Sequence, residues 1–99
     1  MVTRRKAVRT TLTEEQCHAI TRALADPRRF AILEQIAASD SLPCSLLREQ
    51  ENISPATVSH HLKELAEAGL IEIERQGRTA QLTLQRKPWN AYLQRLGKL

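Results

Sequence analysis

Apolar positions along the chain keep a helical period over most of its length and change to alternation once. Cys17, Ile20 and Leu24, flanked by Ala23, fall on one stripe behind Thr13-Glu14-Glu15-Gln16. Thr13 can cap the N–H of Gln16, and Gln16 can reach back, which predicts a first helix over 13–25. Asp26 is a good N-cap and Pro27 fits a first helical turn, so Phe30, Leu33, Ile36 and Ala37 define a second helix over 27–38, closed by Ser39-Asp40-Ser41. Pro43 and Cys44 lead into a short helix, Ser45 to Gln50, with Leu46 and Leu47 apolar, and Glu51-Asn52-Ile53 makes the turn. Ser54-Pro55 repeats the cap-plus-proline signal. Val58, Leu62 and Leu65 then mark a helix over 55–68, and Gly69 is its expected left-handed end. Leu70–Arg75 and Thr79–Leu84 alternate apolar and polar around Gln76-Gly77, the pattern of a β-hairpin. Pro88 opens a last helix with Trp89, Tyr92, Leu93 and Leu96 on one face. The predicted fold is mostly α with a small β-hairpin, in the order ααααββα.

A length of 99 residues is one domain's worth. Phe30, Trp89 and Tyr92 are the only aromatic residues, so aliphatic side chains must build a modest core. No apolar run approaches the ~20 residues of a membrane span, so no membrane partner is expected. The basic N-terminus has no apolar stretch of a secretory signal, and two cysteines are too few for a disulfide scaffold, which points to a cytoplasmic protein. Charge is uneven: +4 over residues 1–9, −6 over 10–74 and +6 over 75–99. Residues 1–11 lack apolar periodicity and read as a flexible basic arm; residues 12–99 read as the domain. Basic ends around an acidic middle fit a polyanion partner, and a solvated tail plus a solvated face give the same totals.

The segment 45–68 has helix-turn-helix organisation. On its second helix Val58, Leu62, Leu65 and Ala66 point inward. Ala56, Thr57, Ser59, His60 and Lys63 lie on or beside the opposite face, and no acid appears before Glu64. Small N-terminal residues allow close approach to a major groove, donors meet base edges, and the helix start favours a phosphate. A solvated surface helix more often carries acids in its first turns. Arg75 and Arg78 flank the hairpin tip, where they can reach phosphates or a narrow minor groove, as the wing of a winged helix-turn-helix. The expected DNA-binding residues are therefore Ser54, Ala56, Thr57, Ser59, His60, Lys63, Arg75 and Arg78.

These residues carry a resemblance. The segment Ala23-Leu24-Ala25-Asp26-Pro27-Arg28-Arg29-Phe30-Ala31-Ile32-Leu33 resembles the opening of the arsenical-resistance-repressor (ArsR-type) winged-helix family. Ile53-Ser54-Pro55-Ala56-Thr57-Val58-Ser59-His60-His61-Leu62-Lys63-Glu64-Leu65 is similar to its recognition helix, and Glu67-Ala68-Gly69-Leu70-Ile71 and Arg75-Gln76-Gly77-Arg78 continue the likeness into the wing. The resemblance covers about residues 12–97. It implies a homodimer joined through the first and last helices that represses transcription at a palindromic operator and is released by an effector. The corresponding interface residues are Cys17, Ile20, Leu24, Trp89, Tyr92, Leu93 and Leu96. Pro55 and Ala56 stand where relatives often carry Gln and Ser, which shifts base reading toward Thr57, Ser59 and His60.

Metal-sensing relatives place two cysteines at the start of the third helix, or Asp and His on the last. Here Leu42 replaces the first cysteine, Cys44 matches the second, and residues 85–99 hold no His, Asp, Glu or Cys, so no metal site or cofactor is expected. Cys17 and Cys44 could form a thiol sensor or be two small packing residues. A small effector of another kind stays open. His61 is expected to pack, partly buried. No nucleophile triad, carboxylate pair or phosphate loop can be assembled, so the chain is not expected to be an enzyme. The competing reading is a winged-helix protein-interaction module that dimerises without binding DNA.

Overall fold

Side-chain caps start three of the helices. The structure, a computed structural model, describes residues 12–51 and 53–99, and residues 48–51 by their backbone. The arm expected over 1–11 and Asn52 of the expected turn lie outside the described residues. Thr13 Oγ1 accepts from the N–H of Gln16 at 3.0 Å and opens α1, Glu14–Leu24. The Asp26 carboxylate accepts from the N–H groups of Arg28 at 2.8 Å and Arg29 at 3.4 Å and opens α2, Pro27–Ala37. β1, Leu42–Pro43, and α3, Cys44–Glu51, follow. Ser54 Oγ accepts from the N–H of Thr57 at 3.1 Å and opens α4, Pro55–Glu67. Each such cap contributes about 1 kcal/mol. β2, Ile71–Gln76, β3, Thr79–Leu84, and α5, Arg86–Gly97, complete the order.

The end of α4 sets the direction of everything after it. The N–H of Gly69 donates to the Ala66 carbonyl and that of Leu70 to the Leu65 carbonyl, both at 3.0 Å. This pair of bonds needs a left-handed residue between them, and Gly69 has φ 81°. A Cβ there would lie 3.1 Å from Gln16 Nε2, so the Gln16 side chain rests over this turn.

β3 is the middle strand of an antiparallel sheet ordered β1-β3-β2. Ile71 pairs with Leu84, Ile73 with Leu82 and Arg75 with Ala80, leaving Gly77-Arg78 as the two-residue tip. Leu42 pairs with Leu82 on the other edge, so the sheet has a third strand beyond the hairpin read from the sequence. Two residues are too few to show a period, and the strand exists because β3 offers it an edge. The helix boundaries shift slightly: α3 starts at Cys44 and α5 at Arg86, with Pro88 inside its first turn, where a missing N–H costs nothing.

The core lies between the helices and the inner face of the sheet. Ile20, Ile32, Ile36, Leu47, Val58, Leu65, Leu70 and Leu82 are its fully buried members. β3 alternates cleanly, with Ala80, Leu82 and Leu84 buried. α5 is fastened to α1 by a 2.9 Å hydrogen bond between the hydroxyls of Tyr92 and Thr21 and by the Arg95–Glu14 ion pair at 2.9 Å.

Packing within the chain already covers part of the expected interface. Cys17, Ile20 and Tyr92 are 7%, 0% and 5% exposed within one chain, so they belong to its own core. A helical stripe reports that a face is covered, and here α1 packs on α2 and α4 while Tyr92 reaches Thr21 from α5. Leu24 and Trp89 remain half-buried, and Leu93 and Leu96 remain on the surface.

Candidate nucleic-acid interface

The inner face of α4 anchors the helix and leaves its outer face to solvent. Val58, His61, Leu62 and Leu65 are buried, whereas Ser54, Ala56, Ser59, His60 and Lys63 are exposed and Thr57 is half-buried. The first turn of α4 contains no acid. Pro55 has no N–H and that of Thr57 is capped, so the N–H of Ala56 adds to the partial positive charge at the exposed helix start.

Ser54 is occupied by its capping role. Its hydroxyl donates to Thr57 Oγ1 at 2.9 Å while accepting from the Thr57 N–H. This bond leaves the proton of the Thr57 hydroxyl available for an outside acceptor. His60 Nε2 lies 4.0 Å from Glu64 Oε2, a loose pair on the helix surface that leaves the imidazole accessible.

The hairpin brings its arginines to the same side. Ser59 and Lys63 of α4 and Arg75 and Arg78 of the hairpin line one cleft with Cys44, the first residue of α3. Its volume is about 870 Å³. Thr79 and Gln81 also line this cleft. Sequence reading missed both, because their position follows from the β2–β3 register and no local pattern marks it. Ala56, Thr57 and His60 of α4, and its N-cap Ser54, do not line the cleft.

Neither cysteine is in a disulfide. Cys17 is inside the core and Cys44 is half-buried in the cleft wall, so the two thiols have different surroundings. Leu42, at the position of the missing family cysteine, is 8% exposed and pairs with Leu82. Among the described residues no three His, Cys, Asp or Glu side chains form a group that could hold a metal ion.

His61 sits beneath this surface at 6% exposure, more deeply than the sequence led one to expect. Among the described residues neither ring nitrogen meets a hydrogen-bond partner. Burial lowers its pKa from the ordinary 6.5; the Asp26 carboxylate opposes this, and positive charge on Arg29, His60 and Arg28 reinforces it. Asp26 is itself held below its ordinary 3.8, chiefly by the Arg28 N–H. The unfolded chain therefore takes up the His61 proton first. This group's stabilisation is present in full above pH 6.5 and is lost as pH falls through the lower folded-state value. The urea midpoint is expected to fall between about pH 7.5 and about pH 5.5, and His61→Leu to flatten that slope. An unchanged slope in His61→Leu would assign the pH dependence to other groups.

Comparison with known proteins bears on the same elements. A family model described as a helix-turn-helix domain matches residues 24–74, from the last residue of α1 into β2. The HTH-type transcriptional regulator YceK of Bacillus subtilis (strain 168) is 35% identical over 83 residues, spanning 82% of this chain and 83% of the relative. The arsenical resistance operon repressor of Staphylococcus xylosus is 30% identical over 66 residues, spanning 67% of this chain and 62% of that protein. The crystal structure of an ArsR family transcriptional regulator superposes with a TM-score of 0.78 at 26% identity, covering 89% of this chain and 90% of that one. The chain belongs to the ArsR-type winged helix-turn-helix regulators. An ArsR-like regulator from Rhodococcus sp. RHA1 shares the fold with a TM-score of 0.74 at 23% identity, covering 85% of this chain and 78% of that one. As an ArsR-type regulator the protein is a DNA-binding transcription factor and not an enzyme. Among the described residues no helix is long and apolar enough to cross a membrane.

Proposed function

We propose that this regulator acts as a homodimeric repressor that occludes a promoter by binding a two-fold symmetric operator, and that an effector releases it. The carrying observation is the outer face of α4, exposed and free of acids from Ser54 to Lys63, with Arg75 and Arg78 beside it. Lys63 and the hairpin arginines supply phosphate contacts, while Thr57, Ser59 and His60 read base edges and Ala56 offers its methyl to a thymine. The exposed Leu93 and Leu96, at 44% and 45%, with half-buried Leu24 and Trp89, support dimerisation through α5 and α1. Two-fold symmetry then sets the paired α4 helices about 34–36 Å apart, or a multiple of that, on one duplex face.

A gel-shift with the protein's own promoter tests this reading. Ser59→Ala and His60→Ala are each expected to cost about 1–3 kcal/mol on the preferred site and to relax base preference, with little change on unrelated duplex. A chain that dimerises and shifts no DNA at low salt is instead a protein-interaction module.

A further inference from the structure

We infer that the cleft between α4, the start of α3 and the hairpin is an effector site for a small amphipathic anion, and that its occupant and DNA exclude one another. The inference rests on the DNA-binding reading of α4 and the hairpin. Its independent support is the composition of the cleft. The floor is apolar and only half covered: Pro43, Cys44, Ala66 and Ile73 all keep part of their surface in contact with solvent. Among the described residues the rim carries Lys63, Arg75 and Arg78 against one acid, Glu67.

A duplex explains the rim and leaves the floor unexplained. Phosphates bind to exposed cations and helix starts and have no apolar surface to bury. A depression of about 870 Å³ lies within the size range of small-molecule sites. Apolar walls with a few charged groups at the mouth suit a molecule with a hydrocarbon or aromatic body and one acidic head. The small side chains of Ala66 and Ala80 hold the space open between α4 and β3. Because the anionic head needs the cations that DNA also needs, release would be direct competition, with no change of fold required.

The test uses the full chain and 8-anilinonaphthalene-1-sulfonate, an aromatic body with one anionic head. Duplex binding of the unmodified chain is established first by gel-shift. Failure at that step is failure of the DNA reading, seen before any probe is added. The probe is expected to bind with enhanced fluorescence, and the uncharged N-phenyl-1-naphthylamine about tenfold more weakly. At ten times its own Kd the sulfonate is expected to raise the apparent Kd of the duplex about tenfold. Ala66→Leu fills the floor and is expected to weaken the probe about tenfold while leaving duplex affinity within about threefold. Ala80→Leu fills the same space from β3 and gives a second reading should Ala66→Leu fold poorly. Probe binding unchanged in both variants, as binding to the exposed α5 face would give, overturns the site. Equal affinity for the uncharged analogue overturns the anion assignment. Simultaneous, mutually indifferent binding of probe and duplex overturns the competition.

Discussion

Replacing Arg75 and Arg78 together by Ala is expected to weaken binding to every duplex, preferred or not, and to reduce the slope of log affinity against log salt by about two. Both residues are exposed; Arg78 lies in the two-residue tip and Arg75 just before it on β2, and the tip conformation depends on Gly77 at φ 64°. Among the described residues neither is in an ion pair, so their charge is available to a polyanion. Each contact that neutralises a phosphate releases about 0.9 of a counterion, so the pair accounts for most of two units of slope. The fold should be indifferent, because the β2–β3 ladder is made by backbone groups and neither side chain is buried. Salt titrations of the variant and the unmodified chain on the same duplexes decide the matter. An unchanged slope would mean that the hairpin does not touch DNA.

Leu65→Ala is expected to act in the opposite way, on folding and not on contact. Leu65 is fully buried on the inner face of α4 with Val58 and Leu62, and its carbonyl accepts the Leu70 N–H in the turn that leads into β2. Truncation there removes buried methyl groups and leaves a cavity, a loss of about 2–5 kcal/mol. A domain of this size has about 5–15 kcal/mol in total, so a substantial share of its stability goes with one side chain. The urea midpoint should drop accordingly. DNA affinity at low temperature should follow only the fraction folded, with the salt slope unchanged. A variant that keeps its midpoint would mean that α4 is anchored elsewhere.

The two substitutions separate what α4 and the hairpin do outward from what holds them in place. Much of that division was legible in the chain. Thr13, Asp26 and Ser54 each cap the helix their position implies, because an N-cap is a contact across two or three residues and needs no distant partner. The inward stripe of α4 and the alternation of β3 are equally local, and the structure buries Val58, Leu62, Leu65, Ala80, Leu82 and Leu84 as their periods require. Gly69 takes the left-handed conformation that the end of α4 calls for. The eight expected DNA-facing residues all reach the surface, although Ser54 spends its hydroxyl on the cap.

Other features required the assembled fold. Cys17, Ile20 and Tyr92 lie on apolar stripes, but the stripe does not say whether the cover is another chain or a neighbouring element; the core formed where α1 packs on α2 and α4 takes in all three. The full burial of His61 depends on α4 packing over the start of α2, where Asp26, Arg28 and Arg29 approach it from the far side of the sequence. β1 exists only because β3 has an edge to share.

Where the helices start and stop, which face of α4 turns inward, and that a hairpin follows it were all legible in the chain, since each depends on spacings of a few residues. Which covered faces are satisfied within one chain, and that Ser59, Lys63, Arg75, Arg78 and Cys44 border a single cleft, came from the packing of the folded chain. Those outcomes depend on contacts between segments far apart in the chain, and no local period records which segments will meet.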